Sequence, residues 1–188
     1  MQSCSDKQLI NHYLQGDEKS LEFLVKRYLK PIYGFVFRQV RDKEIAEDIT
    51  QETFLKVWRN IKKINKNKNV KSWIFTIAKN TTLDFFKKKK SIPFSSFETK
   101  AGKNYVLETL ADNLLLPDKV SESLEAKQAF MEAVEKLSSK YRAIFSLYYY
   151  QYFNFREIAE ILKEPINTIK SRHRRGILLL KEILNGTL

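Results

Sequence analysis

Cysteine is almost missing from this chain: Cys4 is the only one among 188 residues, so a disulfide framework is excluded. Histidine is equally scarce, with His12 and His173 far apart. Neither is accompanied by a cluster of carboxylates or cysteines at metal-ligand spacing, and no Gly-rich phosphate loop occurs. No metal, no cofactor and no enzyme chemistry are therefore expected. Only five glycines and four prolines punctuate the chain, which predicts an all-α fold. No apolar run approaches the roughly 20 residues needed to cross a bilayer, and Met1 is not followed by a charged start and an apolar run. Membrane insertion and a secretory leader are not expected, and the expected compartment is the cytoplasm.

What is abundant is positive charge. Thirty-four Lys and Arg against 22 acids leave a formal charge of +12 and a pI near 9.6, which calls for a polyanionic partner, either nucleic acid or an anionic membrane surface. An aromatic content of 13% favours nucleic acid, because exposed rings stack on unpaired bases.

The stretch Asn154 to Gly176, NFREIAEILKEPINTIKSRHRRG, predicts two short helices around a tight turn. Asn154 and Glu157 have the spacing of a capping box, and Ile158, Ala159, Ile161 and Leu162 give the first helix an apolar face over about Phe155 to Leu162. Pro165 cannot continue that helix but suits the start of the next. In the second helix Ile169 and His173 face inward. Asn167, Lys170, Ser171 and Arg174 share the opposite side, with Arg172 and Arg175 at its flanks, so amide, hydroxyl and cationic donors that bind phosphates and base edges stand together.

Upstream, Asp42 predicts the cap of a helix running to about Ile61. Ile45, Ala46, Ile49, Thr53, Phe54, Val57 and Ile61 fill its core side, and Glu44, Asp48, Gln51 and Glu52 lie opposite, with Leu55 among the acids. An acidic stripe carrying an exposed leucine in so basic a chain suggests a docking surface for a protein. A cationic loop, KKINKNKNVK from Lys62 to Lys71, follows; Ser72 is then expected to cap a helix from Trp73 to about Lys90. Ten lysines against one acid, Asp84, between Lys62 and Lys90 predict salt-sensitive binding to a nucleic acid. From Ser91 to Glu125, with Pro93, Gly102 and Pro117 breaking periodicity, three lysines face six acids and the pattern reads as a linker. Helices resume at Leu124 to Leu137 and Ser139 to about Gln151. The expected organisation is two small helical domains, residues 5–91 and 124–186, each with a modest core, joined by a linker over 92–123 and ending in a helix-turn-helix.

DITQETFLKVW from Asp48 to Trp58, SWIFTIAKNTTLDFFKKKK from Ser72 to Lys90 and the terminal helix-turn-helix, in this order, resemble bacterial RNA polymerase sigma factors of the extracytoplasmic-function group. The resemblance covers nearly the whole chain except the linker. It implies that Asp48, Gln51, Glu52 and Leu55 dock on the clamp helices of core RNA polymerase. It also implies that Asn65, Lys66, Asn67, Lys68 and Asn69 line the site where a base of the melted −10 element leaves the stack, with Thr76, Lys79 and Asn80 beside it. Thr168, Lys170, Ser171, Arg172, Arg174 and Arg175 would read the duplex −35 element. Tyr141 to Tyr150 would help meet the polymerase flap, the linker would run through the product RNA channel, and an anti-sigma factor would hold the protein, a monomer when free, in check.

The chain departs from the family's pattern at Ser138, where proline is usual, and at Tyr152 and Lys163, where glycine is usual, which predicts a less sharp turn. Other readings fit fewer residues. A helix-turn-helix regulator acting without polymerase leaves the acidic stripe and the WIFTIAKN helix unexplained. A nucleic-acid enzyme lacks catalytic clusters. A peripheral membrane protein would need Trp73 and Phe85 to abandon the core.

Overall fold

The computed structural model describes residues 4–64, 69–89 and 124–185, and among these it contains helices and no strand. The N-terminal unit comprises α1 (Asp6–Leu14), α2 (Glu18–Val40), α3 (Lys43–Asn60) with a 3-10 turn at Ile61–Lys63, and α4 (Val70–Lys89). The C-terminal unit comprises α5 (Leu124–Lys136), α6 (Ser139–Phe145), which passes into a π-helical turn at Ser146–Tyr150, α7 (Phe155–Leu162) and α8 (Ile166–Leu184).

Local chemistry sets most of the boundaries. Ser5 and Gln8 form a capping box at α1, and Asp17 and Asp42 accept backbone N–H groups at the starts of α2 and α3. Pro31 lies inside α2, which continues through it. The expected start of α4 is corrected. The helix begins at Val70, with Asn69 Oδ1 accepting the Ser72 N–H at 3.3 Å, so Ser72 sits in the first turn, buried, with its hydroxyl unpartnered. The helix expected over Ser139 to Gln151 is corrected too, since its second half is π-helical.

Two separate modest cores are expected from the sequence, yet one apolar cluster runs through both units. It joins Leu24, Ile32, Phe35 and Ile74 of the first unit to Ile144, Leu147, Ile158 and Ile169 of the second. The junction is made by α4 against α7 and by α2 against α6. Phe75 is the keystone. It is fully buried, with its ring edge-on to Phe35 at 5.6 Å on one side and to Phe153 at 5.1 Å on the other. Burial of each such ring contributes about 1.5–3 kcal/mol to the seam between the units. A second cluster, Ala133, Val134, Leu137, Phe145 and Leu180, ties α5 and α6 to α8. Beside it Arg142 is buried and donates to the Glu135 and Leu137 carbonyls at 2.9 and 3.0 Å, closing the C-terminal end of α5. Burial pushes its pKa down to about 10, so it remains a cation at neutral pH.

Candidate nucleic-acid and docking interfaces

On α3, Ala46, Ile49, Thr50, Thr53 and Val57 point inward, and the two threonine hydroxyls donate back to the Ala46 and Ile49 carbonyls at 2.6 and 2.7 Å. Asp48 and Gln51 are exposed on the other side. Glu52 is half-buried, 3.8 Å from Lys56, which also approaches Asp84 of α4 at 3.7 Å. Leu55 is 45% exposed, and Trp58, one turn further along the same edge, is 53% exposed with its indole N–H donating to Tyr13 Oη at 2.9 Å. Sequence reasoning missed Trp58, although a helical plot places it next to Leu55. The stripe is thus an acidic patch around two bare apolar side chains.

Of the strand-reading candidates, Asn65, Lys66, Asn67 and Lys68 lie outside the described residues. Asn69 is exposed and sits at the N-terminus of α4. Thr76, Lys79 and Asn80 follow on α4, all half-buried, and the Thr76 hydroxyl is spent on the Ser72 carbonyl at 2.8 Å. Burial first, and the Lys163 ammonium second, hold Lys79 below the usual lysine pKa. Lys71, assigned to the loop on sequence grounds, is in the first turn of α4. Its Nζ donates to the Gln151 carbonyl at 2.5 Å and lies 4.5 Å from the centre of the Phe153 ring.

The helix-turn-helix forms as the sequence predicts. Asn154 Oδ1 accepts the Arg156 and Glu157 N–H groups at 3.0 Å, and Glu157 Oε2 accepts the Asn154 N–H at 2.9 Å, which fixes the start of α7. The expectation of a blunter turn is overturned. Lys163 takes φ 55° and Tyr152 also φ 55°, the left-handed conformation that the family's glycines would supply. The chain keeps the sharp geometry at a cost of about 1 kcal/mol per position. Tyr152 is 87% exposed, so no packing compensates there. On α8, Lys170, Ser171 and Arg175 are exposed, Thr168 and Arg174 are half-buried, and Arg172 turns back to form an ion pair with Glu164. Arg172 is therefore not the free donor that spacing alone suggested.

His173 faces inward as expected, stacked on Phe145 at 5.1 Å and packed against Tyr148 and Phe155 at 5.1 and 5.0 Å, with its Nε2 2.9 Å from Tyr149 Oη. Burial lowers its pKa to about 4 and raises that of Tyr149. The unfolded chain takes up this proton near pH 6.5, while the folded chain does so only near pH 4. Stability contributed here is present above pH 6.5 and falls as the pH drops toward 4. Between pH 7 and 5 the loss should be about 1 kcal/mol, half the full linkage value because water reaches part of the ring. Urea denaturation of His173→Phe alongside the parent chain checks this, since an identical pH dependence in both would assign the effect elsewhere.

With these surfaces in place, comparison with known proteins is decisive. The Sigma-70 region 2 family model matches residues 24–92, and the Sigma-70 region 4 model matches residues 127–180. The ECF RNA polymerase sigma factor SigW of Bacillus subtilis is 32% identical over 180 residues, covering 95% of this chain and 96% of that one. The chain belongs to the ECF sigma factors of RNA polymerase. A sigma-E factor of Haemophilus influenzae is 25% identical over 172 residues, covering 91% of this sigma factor and 90% of that one. Among solved structures, RpoE of Bartonella quintana, crystallised with the anti-sigma factor NepR, superposes with a TM-score of 0.65 at 26% identity, covering 89% of this sigma factor and 98% of that chain. CnrH, solved with the cytosolic domain of CnrY, gives 0.67 at 16% identity over 96% and 97% of the two chains and supports the fold. The α3 stripe and α4 fall within region 2, and α7 with most of α8 falls within region 4. As a sigma factor, the protein acts in transcription initiation and recognises promoters through these two regions. No helix among the described residues is long and apolar enough to cross a membrane.

Proposed function

We propose that Asp48, Gln51, Glu52 and Leu55, extended by Trp58, form the surface that docks on the clamp helices of core RNA polymerase. The observation that carries this is the pair of bare apolar side chains, 45% and 53% exposed, inside an acidic stripe of a chain with net charge +12. A regulator that only grips duplex DNA has no use for such a patch, whereas a protein partner buries it favourably. Residues 5–91 then hold core docking and −10 recognition, 92–123 the linker, and 124–186 the −35 reader. Asn65 to Asn69 with Thr76, Lys79 and Asn80 take the unpaired −10 strand. Amides that both donate and accept suit base edges, and lysines suit the backbone. Thr168, Lys170, Ser171, Arg172, Arg174 and Arg175 meet the −35 duplex. The protein performs no catalysis itself, works in the cytoplasm beside the polymerase, and is restrained by an anti-sigma factor, as its Bartonella quintana relative is seen bound to one.

The test is reconstitution. Alone, the protein binds promoter duplex poorly; with core polymerase it starts transcripts at one defined position. A tight duplex footprint without polymerase, or no specific transcript with it, would overturn the reading.

A further inference from the structure

We infer that the cavity lined by α2, α4, α6 and the helix-turn-helix is a binding site for a small organic anion, an apolar body carrying one carboxylate, sulfonate or phosphate group. Its volume is about 260 Å³, just under the roughly 300–1,000 Å³ of ligand pockets, so the ligand is small. Among its apolar lining, Phe35 and Leu162 are buried whereas Leu83 is 41% exposed, so a hydrocarbon wall runs from the core to the surface. Lys79, Lys140 and Arg172 line the same space against one acid, Glu164. Glu164 is already paired with Arg172, and among the described residues no carboxylate lies within ion-pair distance of Lys79 or Lys140. Two ammonium groups therefore await an anion.

An independent observation agrees. Gln39 also lines the cavity, and its Nε2 is buried without an acceptor. A buried amide donor left unpaired is costly, and an anionic oxygen is the acceptor it lacks. The Thr82 hydroxyl, by contrast, is spent on the Ala78 carbonyl at 2.9 Å, so polar recognition falls to the amide and the cations. Burial and then the Lys163 ammonium hold Lys79 below the usual lysine pKa, and a bound anion offsets both. A purely apolar ligand would leave these groups unpaired, and a sugar-phosphate chain would leave the hydrocarbon wall uncovered. An amphipathic anion answers both.

Such a ligand competes with the promoter. Lys79 is a candidate for the −10 strand and Arg172 for the −35 duplex, so one bound anion occupies a group from each DNA-reading region. A small molecule can thereby oppose initiation without an anti-sigma protein. This consequence rests on the functional reading above; the binding itself does not.

The probe is anilinonaphthalene sulfonate, an apolar ring system with one sulfonate whose fluorescence rises on leaving water. It is titrated into the full parent chain, Lys140→Glu and Ala143→Phe. Lys140 is exposed, so its charge reversal leaves the fold intact, and the added ring at Ala143 fills the cavity. One saturable site is expected in the parent, weakened about fivefold by Lys140→Glu and lost in Ala143→Phe. Absence of a saturable site, or an affinity for Lys140→Glu within twofold of the parent, would overturn the proposal. Gln39→Leu serves where Ala143→Phe folds poorly: it keeps the side-chain size and removes the amide, so binding should weaken about threefold, and unchanged affinity would count against the site. With core polymerase and promoter, a saturating probe should cut the specific transcript of the parent about threefold and that of Lys140→Glu far less, each against its own probe-free level. Equal inhibition of both would refute the competition. No transcript from either without probe is instead a failure of the functional reading, and the titration still decides the site.

Discussion

Gly176→Ala lowers the stability of the chain by about 2 kcal/mol, a fall in the thermal midpoint of about 4–8 °C. Glycine inside a helix normally costs about 1 kcal/mol against alanine, so propensity alone predicts the opposite sign. Packing decides the matter. A Cβ at this position would lie 2.4 Å from Phe145 Cε2, 2.9 Å from Phe145 Cζ and 3.3 Å from Tyr141 Cδ1. Phe145 cannot swing aside, because it is fully buried and its ring is stacked on His173 with Tyr149 against it. Relief therefore requires α6 and α8 to separate, which opens the second core cluster at Leu180 and Leu137. The strain of about 3 kcal/mol outweighs the propensity gain of about 1. Adding Phe145→Leu should recover part of the loss, as contacting residues couple in a double-mutant cycle. An unchanged or raised midpoint for the single substitution would show that the helices slide apart freely.

Asp48→Ala combined with Leu55→Ala weakens binding to core polymerase about a hundredfold while leaving the unfolding midpoint unchanged. Asp48 is exposed and Leu55 is 45% exposed on the outer face of α3, opposite the inward stripe of Ala46, Ile49, Thr53 and Val57, so the effect on stability stays within about 0.5 kcal/mol. An apolar anchor and a charge at the centre of an interface each contribute about 1–2 kcal/mol, and together about a hundredfold in affinity. Trp58→Ala should act in the same direction, with an added small loss of stability from its hydrogen bond to Tyr13. Core affinity within threefold of the parent for the Asp48/Leu55 pair would remove this face from the docking surface.

Helix existence was legible wherever the signal was local. The Asn154 and Glu157 spacing predicted α7 over Phe155–Leu162, and the two faces of α3 follow from a 3.6-residue period. What stayed hidden was long-range. Phe75 is buried because Phe153, 78 positions later, closes over it, and no window around Phe75 contains that partner. The same seam makes Lys79 half-buried and merges the two expected cores. The start of α4 was misplaced because Ser72 looks like a cap, yet Asn69 already receives its N–H. At Lys163 and Tyr152 the residue type argued against a left-handed backbone, yet both adopt one, at the C-terminal end of α7 and in the turn that precedes it. Among the site candidates, the ion pair of Arg172 was not legible for a similar reason: Glu164, eight residues earlier and across the turn, lies outside the i±4 neighbourhood that helical spacing describes.

The carboxylate of Glu157 divides its two oxygens between two tasks, Oε2 holding the first turn of α7 and Oε1 reaching Asn69 of α4. The bonds that close this helix start are local to Asn154 through Glu157 and need nothing from α4, so the DNA-reading module carries its first turn already formed. The entropy of ordering that turn is settled before the module meets a promoter, and its affinity there is not reduced by a coupled folding step.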